Sequence, residues 1–258
     1  MVSSGRAAGV FLEELSWSEA EARFRAGAVV VVPIGAAAKE HGHHLPLNTD
    51  YLTARELGRR VAETLPVVVA PVIGFGFYPA FTAYAGSQHL QAPTFIALVT
   101  ELMENLIDQG VTRIAAINTG VSTEAPLRLV ASDLLARRGV RIGVADIRML
   151  ARATDGLLKQ SGGGHADERE TSVMLAIKPD AVRMALARAT EREPGPATVY
   201  SRATRLHPVA GKGELHSSSG ATGDPSLATR EKGERILADM TRELVEGLRA
   251  LFPDAPGF

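Results

Sequence analysis

The densest chemistry in this sequence lies in one short segment. Glu40-His41-Gly42-His43-His44-Leu45-Pro46-Leu47-Asn48-Thr49-Asp50 places three of the chain's seven histidines within four residues, with a carboxylate at each end. Imidazole and carboxylate are ligands for zinc, manganese or iron, and a carboxylate such as Asp50 can bridge two such ions. The chain has no cysteine, so any transition-metal site must use His, Asp and Glu. A lone histidine is more often a surface or satisfied core residue. The clustering here, with Glu40 and Asp50 close by, favours a site.

A second constellation is Gly162-Gly163-Gly164-His165-Ala166-Asp167-Glu168-Arg169-Glu170-Thr171. His165 titrates near neutrality when unperturbed and can act as a general acid or base. Helical spacing puts His165 and Glu168 on one face. An ordinary helix start would also carry these acids, because the helix dipole welcomes them. The three glycines are not a phosphate loop, since no Lys-Ser/Thr pair follows. Asn118-Thr119-Gly120-Val121-Ser122-Thr123 is a third candidate, whose small residues let the backbone approach a ligand. It could equally be a turn in which Ser122 or Thr123 caps the next helix. Gly74-Phe75-Gly76-Phe77-Tyr78-Pro79 could wall a pocket with aromatic faces. It lacks the third glycine of a dinucleotide fingerprint, which counts against a nucleotide enzyme. His89, His207 and His216 are isolated in sequence.

The elements that must position these groups alternate. The β-branched run Val29 to Pro33 predicts a strand buried on both faces, and Val67–Val72, Ile114–Ile117 and Val140–Ala145 predict three more. Helices are predicted at Ser18–Arg25, from Asp50 to about Thr64, at Pro93–Gln109 with Gly110 as its stop, at Pro126–Arg138 ended by Gly139, and at Ser226–Leu251, with a break near Gly233. A glycine cluster runs into a further helix-like stretch between Gly162 and Leu175. Glu191–Pro196 and Gly211–Asp224 read as loops. Strands alternating with helices predict an α/β fold with a parallel sheet and helices on both faces. The candidate segments fall where these strands end, which is where open α/β sheets bind ligands.

The 258 residues carry 28 basic and 29 acidic side chains, a net charge of −1. That balance gives no footprint for nucleic acid or an anionic membrane. With 45% hydrophobic residues a sizeable core is available. The longest apolar run, Ala28–Ala38, is too short to span a bilayer. A soluble, cytoplasmic protein forming one domain over residues 1–258 is the expectation.

Three ordered segments together resemble the creatininase (creatinine amidohydrolase) family. The family signature P-x-G-S-x-E-Q-H-G-P-H-L-P-L-x-T-D is matched by Pro33-Ile34-Gly35 and then Glu40 to Asp50. G-H-A-G/D-E-x-E-T-S is matched by Gly164 to Ser172, and G-D-P-x-x-A-T-x-E-K-G by Gly223 to Gly233. The resemblance implies a three-layer α/β/α domain with a mostly parallel sheet, creatininase-like. It also implies a metal-dependent amidohydrolase that cleaves an amide or cyclic amide C–N bond in a small molecule or peptide. It implies one or two divalent ions per chain, zinc or manganese with iron as a further option, and a homo-oligomer, a hexamer in the family. Carried over by position, His41, Asp50 and Glu168 are metal ligands. His165 is the proton shuttle and Glu170 its neighbour. Lys39 stands where the family has its metal-binding Glu, with one extra residue before His41, so Glu40 is the candidate to replace it; the alternative is that Lys39 fills a vacant metal position with its own charge, giving a one-metal site. Gly120 stands where the family has a ligand His. His43, His44 and Glu124 are candidate substitutes. His43, Tyr78, Asn118 and Ser122 are candidate substrate contacts. The alternative is a non-catalytic homologue that binds a small molecule through a degenerate metal site.

Overall fold

The computed structural model describes residues 9–190 and 218–258. The loop expected at 191–196, the first part of that expected at 211–224, His207 and His216 lie outside the described residues. Five strands, β1 (Val10–Phe11), β2 (Val30–Ile34), β3 (Val68–Val69), β4 (Ile114–Asn118) and β5 (Ile142–Asp146), form one parallel sheet in the order β1-β3-β2-β4-β5. Six α-helices connect or flank them: α1 (Trp17–Arg25), α2 (Thr49–Thr64), α3 (Ala92–Asp108), α4 (Glu124–Arg138), α5 (Glu168–Ile177) and α6 (Arg230–Leu251).

The central strands are apolar on both sides because both sides are covered. Along β2, Val31 joins Leu57, Val61, Val173, Ile236, Leu237 and Met240 on one face. Val30, Val32 and Ile34 join Phe24, Phe95, Val99, Met103, Leu127 and Leu134 on the other. The layers are therefore α2, α5 and α6, then the sheet, then α1, α3 and α4.

Two expectations are corrected, and one strand was not expected. The strand expected at Val67–Val72 shrinks to Val68–Val69 because Pro71 cannot donate to a ladder; pairing resumes only as the single bridge Ile34–Ile73. The edge strand Val10–Phe11 is missed because two residues carry no period. The last helix begins at Arg230, capped by Thr229, whose side chain accepts from Lys232 N, and it runs unbroken through Gly233. A short 3₁₀ turn, Pro225–Leu227, capped by Asp224, precedes it. Gly233 is not a break but a contact point: a β-carbon there would overlap the Ser172 carbonyl of α5. Gly233→Ala is expected to cost roughly 3 kcal/mol or more, by forcing α5 and α6 apart. Urea unfolding of the two proteins measures this.

The sequence order of strands reverses beside β2. The chain steps from β2 to β3 on one side, then crosses to β4 on the other. The loops leaving β2 and β4 therefore diverge from a shared cleft, the standard ligand position in such sheets.

Candidate metal centre

The loop after β2 folds back on itself, with Lys39 N donating to Leu47 O at 3.0 Å. It delivers Asp50 into the first turn of α2, where the helix dipole favours a carboxylate. Asp50 is buried between two positive partners. Its Oδ2 accepts from Lys39 Nζ at 2.7 Å, and its Oδ1 faces His41 Nε2 at 3.0 Å. Burial opposes its charge, but Lys39 and then His41 outweigh burial and hold the carboxyl well below its ordinary range.

His41 is fully buried, and its Nδ1 lies 2.9 Å from the Lys39 carbonyl. A carbonyl only accepts, so Nδ1 carries the proton. Nε2 then meets Asp50 Oδ1 favourably only if it holds a second proton or a metal ion. Burial works against the charged ring, yet Asp50 raises its proton affinity above the ordinary value.

The segment before α5 brings in the second group. Asp167 caps α5, accepting from Arg169 N and Glu170 N. Ala166 takes a left-handed φ of 48° and is fully buried. This bend turns His165 inward, where its Nε2 donates toward Glu40 O (2.9 Å) and Glu40 Oε2 (3.1 Å). The His165 ring lies 4.9 Å from that of His41 and 4.7 Å from that of Phe81, centroid to centroid. Burial, helped by the charges of Lys39 and His41 against the pull of Glu40, lowers His165 to about 4. It is neutral at pH 7, with Nε2 occupied and the Nδ1 lone pair turned toward Glu170, 3.8 Å away. Glu170 Oε2 accepts from Ala166 N at 2.6 Å. Burial raises Glu170 to about 7, with Asp167 and Asp50 adding to that and His41 and Lys39 opposing it. Among the described residues, His41, His165 and Glu170 offer donor atoms that all lie within 4.8 Å of one another.

Other expected residues go elsewhere. Glu40 is spent on His165 and on the N–H of Gly42. Glu168 points away from the cluster: it is fully buried, pairs with Lys232, and accepts from Lys159 N and Gln160 N at 2.8 Å each. His43 is exposed and lines a separate surface cleft with Arg183 and Arg188. His44 bonds Thr171 Oγ1 at 2.8 Å. Glu124 pairs with Arg128 and Arg148. Asn118 is consumed by the turn after β4, where it holds Gly120 N and O, and Thr123 Oγ1 lies 2.7 Å from its Oδ1. Ser122 and Tyr78 do line the cavity beside Lys39, Asp50, His165 and Glu170. Lys39 was not foreseen as a direct partner of Asp50. A buried cation just after a hydrophobic strand was the available signal. Thr119 was also missed; its Oγ1 reaches Ile34 O and Asp50 O at 3.1 and 3.0 Å, tying the two loops together.

Residues 13–248 match the family model described as creatinine amidohydrolase. The chain belongs to the creatininase family. It is 27% identical to the creatinine amidohydrolase of Pseudomonas putida over 264 residues, covering 95% of this chain and 98% of that one. It is 30% identical to the mycofactocin precursor peptide peptidase of Mycobacterium tuberculosis over 251 residues, covering 88% and 87%. A solved mutant creatininase of Zn-Zn type superposes with a TM-score of 0.81 at 25% identity, covering 96% of this chain and all of that one.

The family implies a metal, and the residues present fit one. His41 Nε2 and Asp50 Oδ1, 3.0 Å apart, have the separation of two ligands about 2.1 Å from one ion. His41 Nδ1 is already anchored on a carbonyl, the usual way a metal-binding histidine is oriented. Glu170, which shares the donor cluster of His41, adds a second carboxylate, and a nitrogen and oxygen set of this kind suits zinc or manganese.

Proposed function

We propose that this chain is a metal-dependent amidohydrolase that cleaves a C–N bond in a small molecule or peptide. The grouping of buried His41, Asp50 and His165 with half-buried Glu170 at the C-terminal ends of β2 and β4 carries this reading. The names of the relatives, a creatinine amidohydrolase and a peptide peptidase, support the substrate range. His41, Asp50 and Glu170 would hold the divalent ion. When bound, the ion polarises the scissile carbonyl and makes water acidic enough to attack near neutral pH.

The remaining work falls to the chain. Asp50 fixes His41, and Thr119 fixes the backbone of Asp50 against β2. Glu40 holds the Nε2–H of His165, which leaves the ring's lone pair on Nδ1. His165 Nδ1 would accept a proton from the attacking water and return it to the departing nitrogen. Phe77 and Tyr78 line the same cavity and give it an aromatic wall. A cytoplasmic homo-oligomer is part of the same proposal, and light scattering on the purified protein tests the assembly.

Chelator-treated protein is expected to lose hydrolysis of a panel of cyclic amides, formamides and peptides, and to recover it with zinc or manganese. A chain that binds panel compounds but turns none over with any ion would favour the non-catalytic alternative. Acid should weaken the ion. His41 has a raised proton affinity, so its Nε2 proton competes with metal as pH falls through neutrality. The half-saturating ion concentration should therefore be higher at pH 6 than at pH 8, by about tenfold per pH unit where one proton is displaced. Equal affinity at the two pH values would remove His41 from the ligand set.

A further inference from the structure

Lys39 has no step in the reaction just described, yet it occupies the middle of the site. Its side chain is 9% exposed, its ammonium lies 2.7 Å from Asp50 Oδ2, and it stands 4.9 Å over the Phe81 ring. Asp50 therefore shows two different faces. Oδ1 looks toward His41, which in turn shares a donor cluster with His165 and Glu170; Oδ2 looks at an ammonium tethered to the same loop. A carboxylate that bridges two ions gives one oxygen to each. Here the second oxygen already has its cation, and like charge keeps a divalent ion away from that side.

The turn after β4 offers the second ion no imidazole or carboxylate. Gly120 has no side chain, and a β-carbon there would sit 2.6 Å from Thr123 Oγ1. Asn118 is bound within its own turn. We propose that Lys39 is a built-in cation that takes the place of a second ion, so that this centre holds one divalent ion per chain. The similar creatininase structure is, by contrast, of Zn-Zn type. The inference rests on the reading that His41, Asp50 and Glu170 bind a divalent ion.

The test is an ion count with a spectroscopic check. Untagged, metal-stripped protein is loaded with Mn(II) and desalted, and bound manganese is counted by mass spectrometry. Low-temperature electron paramagnetic resonance then reports whether the ions are coupled. The wild-type chain is expected to hold one manganese with an isolated six-line signal. Lys39→Glu is expected to hold two, with the signal of an exchange-coupled pair. Should Lys39→Glu fail to fold by circular dichroism, Lys39→Met serves instead, with at least tenfold tighter binding of a second manganese than in wild type. Two coupled ions in the wild-type chain would overturn the proposal. A single ion in wild type with no second site gained by the folded variants would also overturn it, because Lys39 would not be what limits the count. No manganese in the wild-type chain would overturn the metal reading beneath it, a distinct result.

Discussion

Asp50→Ala is expected to abolish both metal binding and hydrolysis, and to weaken the fold as well. One carboxylate balances the Lys39 ammonium through Oδ2 and aligns His41 through Oδ1. Its removal leaves two buried groups facing each other with no counter-charge, a change that costs roughly 3–5 kcal/mol. Asp50→Asn separates the two effects: it keeps the shape, and so more of the stability, while losing the charge an ion needs. Denaturant titration and metal analysis of the three proteins check this. An Asp50→Ala chain that retains a full complement of metal would remove Asp50 from the centre.

The second large effect is expected at His165. His165→Ala removes the Nδ1 base while leaving His41, Asp50 and Glu170 in place. Turnover on a substrate identified from the panel should fall by about 10²–10⁴-fold. Metal content and unfolding midpoint should change far less. Glu40→Gln should show a milder loss, because the backbone carbonyl of Glu40 still orients Nε2 at 2.9 Å. Unchanged turnover in His165→Ala would assign the proton transfer elsewhere, and Glu170, raised to about 7, would be the next candidate.

Much of the scaffold was legible from local pattern. The β-branched run of β2 and the apolar stripe of α2 are consequences of burial on two faces and on one face, and periodicity reports both. The loop between them stood out through its three imidazoles, of which only His41 joins the candidate donors, while His43 is exposed and His44 bonds Thr171. Long-range pairing was what the pattern could not supply. Glu168 has the spacing of a ligand one turn from His165, but Lys232 of α6 approaches from 64 residues away and claims it. Glu40 sits next to His41 in sequence, yet the bend at Ala166 brings His165 to it from 125 residues away. Glu170 was assigned as a neighbour of His165, and the structure places it among the candidate donors. In each case the decisive partner comes from another element, and no local spacing encodes that approach.

The most direct test of the metal centre is an anomalous diffraction map from crystals of the untagged protein soaked in zinc and measured at the zinc edge. A peak bounded by His41 Nε2, Asp50 Oδ1 and the Glu170 carboxylate, at ligand distances near 2.1 Å, is the expected result. An empty cluster at full zinc exposure, or a peak at His43 or Glu168 instead, would contradict a metal centre at this position.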